Sequence, residues 1–172
     1  MKALLTSRSA AATELAAEAV AGALGPGDVV LIAGELGAGK TTFVRGACRG
    51  LGVRARVTSP SFTIGQVYEG RVRVSHLDLF RLGSLEVEDP SLLTDYLLPD
   101  AVAFVEWPAA GEPEIEPGRV ALRLRLEHAG GDSRRVEANG RTAVVERLRA
   151  ALTDGDGEPG AGRGGHGPLR DP

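Results

Sequence analysis

The chain has 172 residues, of which 42% are hydrophobic and 25% charged, proportions that are typical of one soluble globular domain with a single core. Its formal net charge of −3 gives no overall reason to expect binding to a polyanion. The single cysteine, Cys48, excludes an intramolecular disulfide, and no apolar run approaches the roughly 18 residues of a membrane span, so we expect a cytoplasmic protein without membrane contacts.

The first half of the chain combines helical and strand patterns. Residues 9–24 are rich in alanine, place apolar side chains at helical spacing and end at Gly25-Pro26-Gly27, which predicts a helix. Residues 29–33 form a short apolar run between turn residues, which is typical of a buried parallel strand. A glycine-rich loop follows, and a helix is predicted from about residue 41 to residue 50.

Strand patterns dominate the second half. Residues 84–98 predict short helical pieces interrupted by Pro90, and residues 142–152 predict a closing amphipathic helix. A tight turn at Glu69-Gly70 joins the first two predicted strands, and the last two can pair with each other. The predicted strands cover residues 62–68, 71–79, 101–105, 120–126 and 133–138.

The glycine-rich loop carries the most specific motif. Residues 34–41 read Gly-Glu-Leu-Gly-Ala-Gly-Lys-Thr and match the P-loop pattern G-x-x-x-x-G-K-[ST] in full. The backbone of such a loop folds round a phosphate, and the following helix adds the positive end of its dipole. Lys40 supplies a compact point charge for the β- and γ-phosphates, and Thr41 offers a hydroxyl to Mg²⁺. Only Lys2 and Lys40 among the 20 basic residues are lysine, which favours a phosphate site over a glycine-rich turn that binds nothing.

Together these patterns predict an α/β fold, a P-loop NTPase core whose mixed, partly antiparallel sheet is flanked by helices. We expect one P-loop ATPase domain over residues 1–152. Residues 153–172 contain mainly Gly, Pro and charged side chains, so we predict a disordered tail.

Two predicted strands end in carboxylates, Asp78 and Glu106. In an open α/β sheet the carboxyl ends of the strands border the crevice where ligands bind. Either acid could hold Mg²⁺ directly or through water, and the other could orient the attacking water. For each of them a solvated surface charge is the alternative.

Four hydroxyl side chains surround Pro60 directly after the P-loop helix: Thr58, Ser59, Ser61 and Thr63. Hydroxyls in this place can bond phosphate oxygens or magnesium, so one interpretation is a loop that senses the γ-phosphate. The other interpretation is an ordinary turn that leads into a strand.

The remaining polar candidates are weaker. The histidines show no metal-ligand spacing, and Cys48 is expected to pack on the P-loop helix rather than react. Arg45 and Arg49 lie four residues apart on that helix, with Arg54 and Arg56 beyond it. We favour a role in complementing the negative end of the helix over an RNA-facing patch.

Four motifs in order, GELGAGKTTFVRG, VTSPSFT, HLDLFRL and VEWP, resemble the TsaE (YjeE) family, the ATPase component of bacterial tRNA threonylcarbamoyladenosine synthesis. The resemblance runs from about residue 13 to residue 126. It implies an ATP-dependent role with the partners TsaB and TsaD in placing threonylcarbamoyl on adenosine 37 of tRNA. The transfer itself would belong to TsaD, while this protein would hydrolyse ATP to reset the complex and reach tRNA only through it.

The resemblance also assigns roles to residues. It implies that Thr41 and Glu106 ligate Mg²⁺, that Asp78 is a second essential acid beside the ion, and that Trp107 lies against the site wall. Ser61 stands where the family usually has threonine, which keeps the hydroxyl. The implied nucleotide contacts are Thr13, Glu35, Leu36, Gly37, Ala38, Gly39, Lys40, Thr41, Thr42 and Arg135, and the implied catalytic residues are Lys40, Thr42, Asp78 and Glu106.

Three other classes of P-loop protein are alternatives to an ATPase. A GTPase needs an Asn-Lys-x-Asp loop, whereas the single asparagine here, Asn139, precedes Gly140, so that activity is excluded. A small-molecule kinase shares the P-loop but should have an arginine-rich lid and an acceptor pocket, and it ranks second. A nucleotide-controlled binding subunit with negligible turnover differs from the ATPase only in rate.

Overall fold

The computed structural model describes residues 1–60, 63–80, 91–112 and 115–154. Within these ranges, none of the helices has the length and apolar character that crossing a membrane requires. The strands are β1 (Lys2–Ser7), β2 (Val29–Gly34), β3 (Gly65–Tyr68), β4 (Arg73–Asp78), β5 (Ala101–Glu106), β6 (Val120–His128) and β7 (Arg134–Gly140). The helices are α1 (Ala10–Ala21), α2 (Lys40–Gly50), α3 (Ser91–Thr94) and α4 (Thr142–Asp154).

The strands form one seven-stranded sheet in the order β1-β7-β6-β2-β5-β4-β3. Its centre is parallel, because β2 pairs in parallel with both β5 and β6, and β4 pairs in parallel with β5. Both margins are antiparallel, with β3 on β4 at one side and β7 and β1 beyond β6 at the other. The predicted mixed, partly antiparallel α/β sheet is therefore confirmed.

Strands β2 and β5 are almost entirely apolar because both faces of the sheet are covered there. Val30 and Ile32 of β2 pack in the larger core with α1, α2 and α4. Val29 and Leu31 alternate with them and pack on the other face with residues that include Leu93 of α3. Strand β5 divides its side chains between the two cores in the same way.

Helices α1 and α2 lie unusually close to each other. Gly46 of α2 faces the backbone of Glu14, so that an added Cβ would overlap the Glu14 carbonyl oxygen and lie 2.7 Å from its Cα. Around this contact Arg45 and Arg49 form ion pairs with Glu14 at 2.9 and 3.0 Å, and Arg49 also pairs with Glu18 at 2.7 Å. These two arginines therefore connect α2 to α1, a role that differs from both sequence-based interpretations.

Several element boundaries differ from those predicted. Strand β1 was not predicted at all, since only Ala3, Leu5 and Ser7 turn inward and its partner β7 is at the far end of the domain. Helix α1 begins after Ser9, whose hydroxyl accepts from the Ala12 amide, and ends at residue 21 instead of 24. Strand β3 begins at residue 65 instead of 62. Residues 84–90 of the predicted helical stretch and residues 155–172 of the predicted tail lie outside the described ranges.

Candidate functional site

The P-loop and both predicted acids lie at one edge of the sheet. Strand β2 ends at Gly34 and continues through residues 35–39 into α2. Strands β4 and β5 end at the same level, with Asp78 paired in register with Glu106, and Glu106 paired with Ile32. The parallel arrangement thus brings the loop and both carboxylates to the carboxyl edge, as expected for a ligand crevice.

The loop conformation requires glycine at specific positions. Gly34 has a φ of 146°, and a Cβ there would overlap the carbonyl oxygen of Leu126 on β6. Gly39, directly before α2, has a φ of 101° in the left-handed region that side chains disfavour. The backbone therefore turns sharply between β2 and α2, and the unpaired amides of the first helical turn face the loop.

Lys40 is only 5% exposed although it carries an ammonium group. Its Nζ donates to the carbonyl oxygens of Gly34 at 2.9 Å and Glu35 at 2.8 Å, and lies 3.9 Å from the centroid of the Trp107 ring. Burial lowers the pKa of Lys40, and the nearby charges of Glu106 and Asp78 partly oppose that shift. An ammonium that has lost most of its hydration gains strongly from an anionic ligand.

Thr41, Glu106 and His76 form a continuous hydrogen-bonded group. The Thr41 hydroxyl donates to Oε1 of Glu106 at 2.9 Å, and Nε2 of His76 lies 2.8 Å from the same oxygen. Glu106 is 2% exposed and His76 fully buried. Sequence analysis gave His76 no role, since no spacing pattern connects it to Glu106.

Asp78, the second acid, is held at both of its oxygens. Ser59 donates to Oδ2 at 2.6 Å, and the Phe80 amide donates to Oδ1 at 3.1 Å. Ser59 therefore ties the hydroxyl-rich loop to the acid at the end of β4. Of the other hydroxyls, Thr63 donates to the Gly65 carbonyl, Thr58 is exposed, and Ser61 lies outside the described residues.

The donor atoms at this edge suit Mg²⁺. The ion prefers oxygen ligands and is usually held by one or two carboxylates, with phosphates and waters completing its shell. Thr41, Glu106 and Asp78 offer such oxygens beside the P-loop. Within the described ranges, no group of three or more His, Cys, Asp or Glu side chains is placed to hold a metal ion.

Trp107 borders the site directly after β5. It is the only non-glycine residue in the described ranges with a positive φ, 56°, a conformation that costs about 1–3 kcal/mol. Its amide donates to the Ile32 carbonyl at 3.1 Å, and its ring packs on Phe80 with centroids 4.8 Å apart. This backbone turn places the indole over the ammonium of Lys40.

The resemblance implies that Arg135 contacts the nucleotide, but in the structure the arginine of β7 that contacts the P-loop is Arg134. Arg135 is 57% exposed and lies 3.4 Å from Glu127. Its neighbour Arg134 instead donates through Nε to the Ala38 carbonyl at 3.1 Å and through Nη2 to the Gly37 carbonyl at 3.4 Å. The alternation of side chains along β7 could have pointed to Arg134, because Arg134 lies on the same face of the strand as the buried residues Val136 and Ala138.

The other N-terminal and helical candidates are buried or partly buried. Thr13 lies in the first turn of α1 and bonds Ser7 at 2.8 Å and the Ser9 carbonyl at 3.2 Å. Thr42 is partly buried in the first turn of α2. Cys48 packs in the larger core, as predicted, and this burial raises the pKa of its thiol to about 12.

The family model for the threonylcarbamoyl adenosine biosynthesis protein TsaE matches residues 7–136. This chain belongs to the TsaE family. Similar relatives are the TsaE proteins of Streptomyces coelicolor, 47% identical over 62% of this chain and 73% of that protein, and of Treponema pallidum, 38% identical over 70% and 89%. The crystal structure of YdiB from Bacillus subtilis is similar with a TM-score of 0.67 and 29% identity, covering 91% of this chain and 97% of YdiB.

The TsaE match confirms the resemblance drawn from the four motifs. The matched residues include the P-loop, Asp78, Glu106 and Arg134, so the whole candidate site lies inside the TsaE region. Helix α4 lies beyond it, and the match also includes Ser7 at the end of β1.

Substitution of Arg134 by glutamine should weaken ATP binding about tenfold, because a hydrogen bond from a charged group contributes roughly 1.5–3 kcal/mol. Without the guanidinium, the carbonyls of Gly37 and Ala38 lose the hydrogen bonds that help to fix the conformation of the loop. Arg135→Gln is the matched control, since it removes the same side chain from the opposite face. Fluorescence titration with labelled ATP measures the affinity of both variants. Equal affinities for Arg134→Gln and Arg135→Gln would contradict a role of Arg134 in shaping the loop.

Proposed function

We propose that this TsaE-family protein is a Mg²⁺-dependent ATPase that acts with a TsaB–TsaD pair in the threonylcarbamoyl modification of adenosine 37 of tRNA. The observation that carries the proposal is the arrangement of Lys40, Thr41 and Glu106. A buried ammonium lies on the loop carbonyls, and the first hydroxyl of α2 is bonded to a carboxylate from β5. This combination suits a nucleoside triphosphate with its metal.

The phosphate groups are bound by the start of α2. Its free amides and the positive end of its dipole face the loop, and Lys40 supplies a full positive charge to the β- and γ-phosphates. Thr41 and Glu106 would hold Mg²⁺, which when bound would neutralise phosphate charge and polarise the γ-phosphoryl group. Trp107 covers the Lys40 ammonium from the other side and limits its contact with water.

Asp78 is the residue best suited to orient the attacking water. Its carboxylate is fixed by Ser59 and by the Phe80 amide, yet each oxygen retains lone-pair capacity for a further donor. The oxygen of water forms the new bond to the γ-phosphorus while the bond to the leaving ADP oxygen breaks, which yields ADP, inorganic phosphate and a proton. Since Ser59 belongs to the hydroxyl-rich loop, the same contact links this loop to the site.

Intrinsic turnover is expected to be slow. Arg134, the arginine closest to the loop in the described ranges, donates its hydrogen bonds to carbonyls of the loop itself. An arginine directed at the transferred phosphoryl group contributes about 10³-fold or more in related sites. A partner protein could supply that charge or order the loop that contains Ser59, and either effect would make hydrolysis depend on assembly.

The test is phosphate release and pull-down with the cognate TsaB–TsaD pair under ATP and under ADP. We expect slow hydrolysis alone, marked stimulation by the pair, and complex formation that ATP favours over ADP. Nucleotide-dependent binding without turnover would identify a binding subunit. Indifference to both partners, together with phosphate transfer to a small metabolite, would identify a kinase.

A further inference from the structure

His76 is fully buried in β4, and within the described ranges its imidazole bonds to one side chain, the carboxylate of Glu106 in the candidate metal site. Its Nε2 lies 2.8 Å from Oε1 of Glu106. A carboxylate oxygen can only accept, so Nε2 carries the proton and donates it. The same oxygen also accepts the Thr41 hydroxyl at 2.9 Å. Two donors from two different elements, β4 and α2, therefore converge on one oxygen of Glu106.

The environment of Nδ1, the other ring nitrogen of His76, indicates that the imidazole does more than fill space in the core. Nδ1 is buried, and no group in the described part of the chain forms a hydrogen bond with it. A buried polar atom left without a partner is destabilising, and an apolar side chain of similar size would avoid that cost. The hydrogen bond to Glu106 is the interaction that the imidazole makes and an apolar side chain could not make.

We propose that His76 is a positioning residue that pre-forms the Mg²⁺ site by fixing the carboxylate of Glu106. Because His76 and Thr41 both bond Oε1, rotation of the carboxylate is restricted, and Oε2 is directed to the ion or its water. The Thr41 proton points at Oε1, so the lone pairs of that hydroxyl remain available to the ion. This inference rests on the proposed nucleotide and Mg²⁺ site.

The proposal predicts a loss of Mg²⁺ affinity without a loss of nucleotide affinity. In His76→Phe a ring of similar volume keeps the core filled but offers no donor, whereas the amide of His76→Gln can still donate to Oε1. Residues that orient metal ligands typically contribute 10–100-fold to metal affinity. We therefore expect the Mg²⁺ concentration for half-maximal effect to rise about 10–100-fold in His76→Phe and to change much less in His76→Gln.

The experiment titrates Mg²⁺ into the full chain with labelled ATP and follows nucleotide affinity and melting temperature, with an EDTA series as the metal-free reference. His76→Leu takes the place of the phenylalanine variant if that protein does not fold. Wild-type Mg²⁺ midpoints in the donor-less variant would overturn the proposal, as would equal loss in the phenylalanine and glutamine variants. If the wild-type protein itself shows no Mg²⁺ effect, the proposed metal site fails and the role of His76 in forming it fails with it, a result that differs from a normal Mg²⁺ response in both the wild type and the donor-less variant.

Discussion

Lys40→Ala is expected to lower ATP hydrolysis by about 10²-fold or more, the usual result of removing a charge that stabilises a transition state. The fold should remain intact. Lys40 is 5% exposed and donates to carbonyls of Gly34 and Glu35, but removing a poorly solvated charge also removes its desolvation cost. We therefore expect nucleotide binding to weaken while the melting temperature stays close to that of the wild type.

Two further substitutions make this test specific. Lys40→Arg keeps the positive charge but replaces the compact ammonium with a larger, planar guanidinium group. It should therefore not restore activity in the space beside the Trp107 ring. Lys2→Ala removes the other lysine of the chain, which is exposed on β1, and should leave hydrolysis unchanged. Phosphate release with the partner pair measures all three, and a wild-type rate in Lys40→Ala would overturn the P-loop assignment.

Gly46→Ala is expected to destabilise the protein although alanine is the better helix former by about 1 kcal/mol. The added methyl group would meet the backbone of Glu14, which cannot rotate away as a side chain can. Overpacking of this kind typically costs 1–3 kcal/mol, occasionally more. Since the two helices must separate to relieve the overlap, we expect a net loss of about 2 kcal/mol, or roughly 4–8 °C in melting temperature for a chain of this size.

The control for this prediction is Gly118→Ala. Gly118 is exposed, has no positive φ, and a Cβ there would meet only the Glu116 side chain at 3.9 Å. This variant should melt within a degree or two of the wild type. Thermal unfolding followed by circular dichroism compares the two proteins. If Gly46→Ala were as stable as Gly118→Ala, the close approach of α1 and α2 would not be needed for stability.

The features that the sequence predicted are those that depend on residues close together in the chain. The P-loop is contiguous from Gly34 to Thr41, and each residue meets a local requirement for backbone conformation or charge. The apolar runs of β2 and β5 and the alternation of β6 are equally local, so the elements and the mixed sheet could be predicted from them. Both acids were placed at the correct edge because strands β4 and β5 end in them.

Only the tertiary structure decided which distant residues meet. The pairing of β1 with β7 and the bond between His76 and Glu106 depend on which strands pair and in which register. A shift of one residue in register exchanges the two faces of a strand, so these contacts follow from the pairing of strands that lie far apart in the chain. The motif therefore predicted the phosphate site, whereas the distant side chains around it could be located only once the strands were paired.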